Sequence, residues 1–298
     1  MKYNLLIADP AKNITAFVLN QVPANARAAL SAALLADPAL GAEQAAFVIP
    51  PGRGSNRLWR LEMMGGEFCG NAARSFGLYV AGKTGLRGRG TVVIESSGAA
   101  APIPVRVDTD NGWAEVEIPG PRSMTTLDFE GRALTVCAFD GITHVIAPDL
   151  RPGKESFFAI KSAFEEGAPS LPGAFGVLFA GPPADGADTA MTPVVYVYGT
   201  DSLVFESSCG SGSAALASAL ALRKSGGIDG AEVRYRIRQP GGIIETRVVT
   251  RAGAVVSVAM GGLVTLRDLV WDYCESTWIL LSIHNSHQYG FKYFYYKT

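Results

Sequence analysis

The chain has 298 residues, 48% of them hydrophobic and 18% charged, which is the balance of a globular protein. A chain of that length can bury large hydrophobic cores and predicts about two domains. The formal net charge of −1, with Lys and Arg spread along the sequence, gives no electrostatic footprint for nucleic acid or an anionic membrane, so we expect neither partner.

The first part of the sequence alternates short strands with two helices. Residues 24–36 are rich in Ala and Leu and predict a helix that ends at Asp37 and Pro38. The apolar run that follows Cys69 predicts a second, buried helix. Runs of apolar or alternating residues between turns predict strands at 2–8, 14–20, 45–49, 57–63, 91–95, 103–107 and 113–118.

The turn Pro119-Gly120-Pro121 is the best domain boundary, because the pattern repeats after it. A helix is predicted near 155–164, and an Ala-rich, buried helix is predicted after Cys209. Strands are predicted at 132–139, 144–147, 175–180, 193–198, 232–238, 243–250 and 254–260. Each half of the sequence therefore contains strands, one central buried helix, and then further strands.

These elements predict an α+β fold of two pseudo-symmetric lobes, each a mainly antiparallel β-sheet or barrel around a central helix, with the active site in the cleft between them. The first lobe is residues 1–119 and the second is residues 120–262. Residues 263–298 form an aromatic-rich tail that could pack back on the first lobe. His284 and His287 in this tail have a spacing that fits a metal on a helix, but their surroundings favour packed or solvated histidines, so we expect no metal.

Two cysteines stand at equivalent places in the two halves. Cys69 and Cys209 each precede small residues that open one of the buried Ala-rich helices. A helix start carries unpaired N–H groups and the positive end of the helix dipole, which lower a thiol pKa and can hold a carboxylate. Two such ends facing each other would place a sulfur on each side of one carbon, so that one thiolate removes a proton and the opposite thiol returns one. The alternative is a pair of ordinary buried cysteines.

At these positions the chain resembles a known family. Cys69-Gly70-Asn71 and Cys209-Gly210-Ser211-Gly212 are similar to the two active-site motifs of diaminopimelate epimerase and its relatives, which are racemases and epimerases that work without pyridoxal phosphate. Asn13, Gln44 and His144 match further short motifs in the family's order. The resemblance covers about residues 1–262. It implies catalysis by the two thiols, no cofactor, and an amino acid as the small-molecule substrate.

The residue pattern and the resemblance agree on proton transfer at the α-carbon of an amino acid, with Cys69 and Cys209 as the two bases. Backbone N–H groups beside both cysteines would stabilise the substrate carboxylate as negative charge builds on it. The implied substrate-binding residues are Asn13, Gln44, Gly70, Asn71, His144, Thr200, Asp201, Gly210 and Ser211.

The substrate side chain is predicted from a departure from the family. Where diaminopimelate enzymes carry a Glu-Arg pair, this chain aligns Thr200 and Asp201. A second carboxylate would meet Asp201, and like charges in a pocket cost several kcal/mol. We therefore expect a basic or imidazole side chain, as in relatives that use histidine, with Glu67 or Glu206 as additional acids. The alternatives are that these acids face solvent, or that diaminopimelate itself is the substrate.

Other functions fit the sequence less well. Residues 77–84 match the GxxxxGK[ST] pattern of a phosphate-binding loop, but they end a predicted helix, where carbonyl groups would repel phosphate. An isomerase of the phenazine-biosynthesis type or a hydroxyproline dehydratase would share the fold, although such proteins typically lack one or both cysteines. A Cys–His hydrolase with His144 as base would leave the second cysteine turn unexplained. A paralogue kept for binding is the non-enzymatic alternative.

The cysteines at 69, 137, 209 and 274 lie far apart and lack CxxC spacing, so neither a zinc ribbon nor a disulfide scaffold is predicted. The apolar stretch within residues 1–9 is too short for a signal peptide and is followed too early by a charged residue. No apolar run is long enough to span a membrane. We expect a cytoplasmic protein in which the thiols stay reduced, with a homodimer as an open alternative to a monomer.

Overall fold

The computed structural model of the chain describes residues 1–52, 57–168, 170–225 and 230–273. The part of the predicted tail beyond Tyr273, with Cys274, His284 and His287, lies outside the described residues. The α-helices are Ala24–Ala36 (α1), Gly70–Lys83 (α2), Lys154–Gly167 (α3) and Gly210–Ser225 (α4). No helix in the described ranges is both long enough and apolar enough to cross a membrane.

Strands make up most of the remaining regular structure. They are Lys2–Asp9 (β1), Thr15–Val18 (β2), Gln44–Ile49 (β3), Trp59–Met63 (β4), Arg89–Ser96 (β5), Ile103–Asp108 (β6), Trp113–Ile118 (β7), Ser123–Phe129 (β8), Arg132–Ala138 (β9), Ile142–Pro148 (β10), Ala174–Gly181 (β11), Thr189–Val197 (β12), Ser202–Phe205 (β13), Glu232–Gln239 (β14), Gly242–Arg251 (β15), Ala254–Leu263 (β16) and Thr265–Asp272 (β17). Hydrogen bonds connect them into one mainly antiparallel sheet. The α+β class predicted from the sequence is confirmed.

Helix α2 lies at the centre of the first core. It is buried on nearly every side, because small and apolar residues surround its axis. The helix packs against β5, β6 and β7, and Gly77 permits the close approach, since a Cβ there would lie 2.5 Å from Val105 Cγ1. Phe76 meets Phe17 edge to face, with ring centroids 6.0 Å apart. These contacts fix where the N-terminus of α2 lies.

Helix α4 takes the equivalent place in the second core. It packs against β15 and β16 and reaches β10, β11 and β14. Ala214, Ala215 and Ala217 on this helix are fully buried, and their small size lets the helix lie close to the strands. Ile237 of β14 and Val248 of β15 belong to the same hydrophobic cluster, so the strands that follow α4 in the chain hold the helix in place.

Strand β16 links the two cores. It pairs antiparallel with β15, which packs on α4, and with β7, which packs on α2. Because the sheet continues across both cores, the division into lobes at residues 119 and 120 stays a prediction. Strand β17, which the sequence placed in the tail, pairs antiparallel with β1 over its whole length, from Thr265 to Asp272.

Candidate active site

Cys69 and Cys209 begin the two central helices. Cys69 is the N-cap of α2, and its Sγ accepts a hydrogen bond from the Ala72 N–H at 3.5 Å. The Cys209 Sγ accepts one from the Gly212 N–H at 3.4 Å. Gln239 holds the second turn, because its Oε1 accepts a hydrogen bond from the Cys209 N–H at 2.8 Å. Each sulfur therefore pairs with a helix N–H group that has no partner within the helix.

The two cysteine turns meet at one side chain. A Cβ atom on Gly70 would lie 2.7 Å from the Met260 Sδ, and a Cβ atom on Gly210 would lie 3.0 Å from the same sulfur. The two Cβ positions therefore lie close together, because their separation cannot exceed the sum of these two distances. Any side chain at either glycine would have to displace Met260. The convergence brings two thiols and two sets of helix N–H groups into one neighbourhood.

Burial controls the acidity of Cys69. It raises the pKa of this thiol to about 11, and the charge of Glu67 acts in the same direction. Hydrogen bonds from the N–H groups of Ala72 and Asn71 and from the Gln44 side chain lower the pKa but do not offset burial. The prediction that the helix start lowers the thiol pKa is therefore wrong in its net direction. The helix N–H groups act as expected, but the loss of solvent is the larger effect.

Burial also has the largest effect on the acidity of Cys209, although the neighbouring groups differ. Burial raises the pKa of its thiol well above the usual value, and Glu206 raises it further through its charge and a hydrogen bond. The Ser211 hydroxyl and the Gly212 N–H lower it. Both cysteines are therefore protonated thiols near neutral pH in this structure.

Three predicted substrate-binding residues come together beside Cys69. The Asn71 Nδ2 donates to the Asn13 Oδ1 at 3.2 Å, and the Gln44 Nε2 donates to the same oxygen at 3.3 Å. The Asn13 Nδ2 in turn donates to the Glu43 Oε2 at 3.0 Å. Because the Gln44 side chain also lowers the pKa of the Cys69 thiol, this group of amides lies beside the sulfur.

His144 lies on the opposite side, beside Cys209. Its Nε2 is 2.8 Å from the Ser211 Oγ, which is 3.6 Å from the Cys209 Sγ. The ring lies against Gly176 on the neighbouring strand, where any Cβ would collide with Nδ1. Burial lowers the pKa of His144 to about 3, so the imidazole is neutral. Ser211 separates this ring from the sulfur, which argues against a Cys–His hydrolase.

Thr200 and Asp201 lie at the tip of a β-hairpin. They occupy the exposed turn between β12 and β13, where the Tyr196 hydroxyl donates to the Asp201 carboxylate. Strand β13 has four residues, so this turn lies about 13 Å from the strand end that leads to Glu206. Because Asp201 is exposed at the tip of this hairpin, we no longer expect it to line the pocket.

Two other acids lie beside the thiols. Glu67 is 7% exposed, and burial raises its pKa. Its carboxylate accepts hydrogen bonds from its own N–H and that of Gly65, whereas its Oε2 has no hydrogen-bond partner in the described part of the chain. Glu206 contacts Cys209 directly. The position of both acids in the sequence predicts this place, because each lies two or three residues before a cysteine that opens a helix.

A metal site is not part of this arrangement. Across residues 1–52, 57–168, 170–225 and 230–273, no three His, Cys, Asp or Glu side chains are grouped to hold a metal ion. The chemistry available is proton transfer between sulfur and carbon, with N–H groups to stabilise a carboxylate.

Comparisons with known proteins match the chain to racemases. The family described as the histidine racemase CntK N-terminal domain matches residues 3–268. A histidine racemase from Fusobacterium nucleatum subsp. nucleatum is 31% identical to this chain, over 85% of this chain and 94% of the relative.

Two solved structures share the fold at low sequence identity. A phenazine biosynthesis protein of the PhzF family from Bacillus anthracis aligns with a TM-score of 0.61 and 13% identity, over 92% of this chain and 100% of that one. A probable proline racemase from Agrobacterium radiobacter K84, with bound carbonate, aligns with a TM-score of 0.59 and 14% identity, over 94% and 95% of the two chains. At such identities the likeness concerns the fold alone.

Proposed function

Because this chain belongs to the histidine racemase CntK N-terminal domain family and is an isomerase, we propose that it interconverts L- and D-histidine with Cys69 and Cys209 as its two acid–base groups. The observation that carries the proposal is the meeting of two cysteine-led helix starts at Met260. The name of the relative from Fusobacterium nucleatum supports histidine as the substrate, as do the acids beside both thiols.

The reaction removes one proton from the α-carbon and adds one proton to the opposite face of that carbon. We expect the substrate carboxylate to bind the N–H groups that open α2 and α4, so that the α-carbon lies between the two sulfurs. One thiolate takes the α-proton while negative charge spreads into the bound carboxylate. The opposite thiol then gives its proton to the other face of the carbon. The product is the mirror-image amino acid, and the thiol and the thiolate have exchanged places.

A cationic substrate would also help to form the thiolate. The negative charges of Glu67 and Glu206 raise the pKa values of the neighbouring thiols. The α-ammonium and imidazole groups of histidine would pair with such carboxylates and offset their charge. Substrate binding would then lower the thiol pKa values at the moment a thiolate is needed. An amino acid with a neutral side chain, such as alanine, brings one potential cation fewer.

Isotope exchange tests the proposal. The protein is incubated with L- or D-histidine in D2O, with α-proton loss followed by NMR and the enantiomers separated by chiral chromatography. Cys69→Ala and Cys209→Ala should each abolish racemisation, because each leaves one face of the α-carbon without an acid–base group. Cys137→Ala is the matched control, since this thiol is fully buried against Ala215 in the second core. Full racemisation by either active-site variant would contradict the two-thiol mechanism.

A substrate panel tests the assignment of histidine separately. Histidine should be racemised faster than lysine, ornithine, alanine or meso-diaminopimelate under the same conditions. A preference for meso-diaminopimelate over every basic amino acid would overturn the substrate while leaving the mechanism in place. Exhaustive dialysis should leave the activity unchanged, and its restoration by added pyridoxal phosphate or metal would contradict a cofactor-free reaction.

A further inference from the structure

His144 and Ser211 form a short line of hydrogen-bonding groups that ends at the Cys209 sulfur. The His144 Nε2 lies 2.8 Å from the Ser211 Oγ, and this oxygen lies 3.6 Å from the Cys209 Sγ. His144 is completely buried, and its ring meets the ring of Phe139 edge to face, with centroids 6.0 Å apart. Within the described part of the chain, His144 therefore reaches the sulfur through the Ser211 hydroxyl.

The surroundings of the His144 Nδ1 determine which ring nitrogen carries the proton. Nδ1 is buried without a hydrogen-bond partner among the described residues. A buried N–H group without an acceptor costs about 1–3 kcal/mol. Among backbone groups, unpaired N–H donors are rarer than carbonyl oxygens with an unused lone pair, and the same physics applies to a ring nitrogen. The favoured form therefore has its proton on Nε2 and none on Nδ1. A charged imidazolium is disfavoured for the same reason, because both of its nitrogens carry protons.

Gly176 explains why Nδ1 has no side-chain partner from the neighbouring strand. Strand β11 places Gly176 directly opposite His144 of β10. A Cβ atom on Gly176 would lie 2.2 Å from the His144 Nδ1 and 2.7 Å from Cε1. No side chain fits at this position while the ring keeps its place, so no side-chain acceptor can reach Nδ1 from it.

A proton on Nε2 fixes the direction of the next hydrogen bond. The Nε2–H donates to the Ser211 Oγ, so the hydroxyl hydrogen cannot point at the ring. The other described contact of the hydroxyl is the Cys209 sulfur, to which it then donates. An O–H group that donates to the sulfur favours the thiolate. In the opposite tautomer the hydroxyl would donate to Nε2, and its oxygen would accept from the thiol, which would favour the protonated sulfur.

We propose that His144 is a positioning residue for Cys209: its Nε2–H group directs the Ser211 hydroxyl at the sulfur and thereby stabilises the Cys209 thiolate. The inference rests on the proposed role of Cys209 as an acid–base group. It assigns His144 to the protein side of the thiol, which differs from the substrate contact that the sequence predicts. Glu206, a titratable group beside the same thiol, acts in the opposite direction.

Nitrogen-15 NMR of the imidazole tests the tautomer in the folded protein. The chain has three histidines, so replacing His284 and His287 by Asn leaves His144 as the one signal. Near pH 7 we expect a proton on Nε2 and none on Nδ1. A proton on Nδ1 would overturn the proposal, because the Ser211 hydroxyl would then donate to the ring or the ring would be charged.

Alkylation by iodoacetamide tests the effect on the sulfur. At a fixed pH below the thiol pKa, the rate follows the thiolate fraction, and peptide mass spectrometry reports Cys209 and Cys69 separately. Ser211→Ala should slow the Cys209 reaction about tenfold, which corresponds to one pKa unit. Ser211→Thr keeps a hydroxyl and should restore most of the rate. His144→Phe keeps a ring beside Gly176 but has no N–H group, so it should also slow Cys209. The Cys69 rate should stay the same throughout.

The order of the three groups predicts how the substitutions combine. If His144 acts through Ser211, then His144→Phe should slow Cys209 in the wild-type protein but not in the Ser211→Ala variant. Equal slowing in both would mean that the ring acts by packing. No slowing in the wild type would mean that the ring does not act on the thiol. Either result would overturn the proposal.

Gly176→Ala displaces the ring without changing it and should also slow Cys209. Gly181→Ala is the matched control on the same strand, because its Cβ would lie 3.9 Å from the Ala190 Cβ, and it should leave the rate unchanged. Circular dichroism checks that each variant folds, and the NMR measurement decides the question if His144→Phe and Gly176→Ala do not. Because neither measurement needs a substrate, a failure of histidine racemisation in the wild-type protein would be a separate result.

Discussion

Gly70→Ala tests the convergence of the two cysteine turns most directly. The added Cβ would lie 2.7 Å from the Met260 Sδ and 2.9 Å from the Ile118 Cγ2. Met260 can move because its side chain is flexible, but Ile118 is β-branched and held in β7. The substitution should therefore push the start of α2 away from β7 and β16.

The magnitude follows from overpacking. Forcing an extra methyl group into a packed site costs about 1–3 kcal/mol of the free energy of unfolding. Gly82→Ala is the matched control, because a Cβ there, in the same helix, meets no atom within 4 Å. It should stabilise the protein by about 0.5–1 kcal/mol through helix propensity. Gly210→Ala should fall between them, since its Cβ meets only Met260, at 3.0 Å from Sδ and 3.2 Å from Cε.

Urea unfolding followed by circular dichroism measures these differences, with histidine racemisation assayed on the same samples. Racemisation should fall in Gly70→Ala and stay at the wild-type level in Gly82→Ala. Combining Gly210→Ala with Met260→Ala should cost less than the sum of the two single changes, because Met260→Ala removes the side chain in the way. If Gly70→Ala proved as stable as Gly82→Ala, the close approach of the turns to Met260 would be refuted.

Asp201→Asn should change histidine racemisation by less than about twofold, because Asp201 is exposed. Glu206→Gln should lower racemisation more than about tenfold, because Glu206 lies beside the Cys209 thiol, and kinetic assays of both variants measure the two effects. The kcat/KM for histidine should rise from neutral pH into the mildly alkaline range, because burial raises the pKa of Cys69 to about 11 and a thiolate is required; a fall over that range would contradict the thiol mechanism. The free energy of unfolding should decrease between pH 9 and about 11, because the pKa of the Cys69 thiol is 9.0 in the unfolded chain and about 11 in the folded protein. Urea titrations at these pH values should show a smaller decrease for Cys69→Ala.

Features with local sequence signals were predicted well. The helix predicted at 24–36 is α1, with the same first and last residues. Cys69 and Cys209 were placed before helices because small residues and an Ala-rich, mainly apolar run follow each of them, and α2 and α4 begin at the next residue. The recognition of a racemase and epimerase family from these motifs is confirmed.

Two strands with weak local sequence signals were missed. Strand β17 alternates only weakly between apolar and polar residues. Its pairing partner is β1, at the other end of the chain, so no nearby turn in the sequence predicts it. Strand β8 is largely exposed and pairs with β9 through Glu130 and Gly131, both at positive φ. A Glu-Gly turn is a much weaker hairpin signal than Asn-Gly or Asp-Gly.

The errors at the site also have physical causes. The helix dipole can be read from sequence, but the burial that outweighs it at Cys69 depends on how the whole fold packs around the sulfur. Asp201 was assigned by its alignment with the family's Glu-Arg pair. In the structure Asp201 is exposed at the tip of the β12–β13 hairpin, whereas Glu206 lies beside the Cys209 thiol.

The two thiols do not have equivalent surroundings. Cys69 has three N–H donors, whereas Cys209 has two donors, the Ser211 hydroxyl and the Gly212 N–H, and is also hydrogen-bonded to the Glu206 carboxylate. Donors stabilise a thiolate and a carboxylate acceptor stabilises a thiol, so we infer that Cys69 loses its proton first. Yet the two enantiomers have equal energy, so the ratio kcat/KM must be the same for both of them. The difference between the thiols can therefore appear only as kcat and KM values that differ between L- and D-histidine and compensate each other.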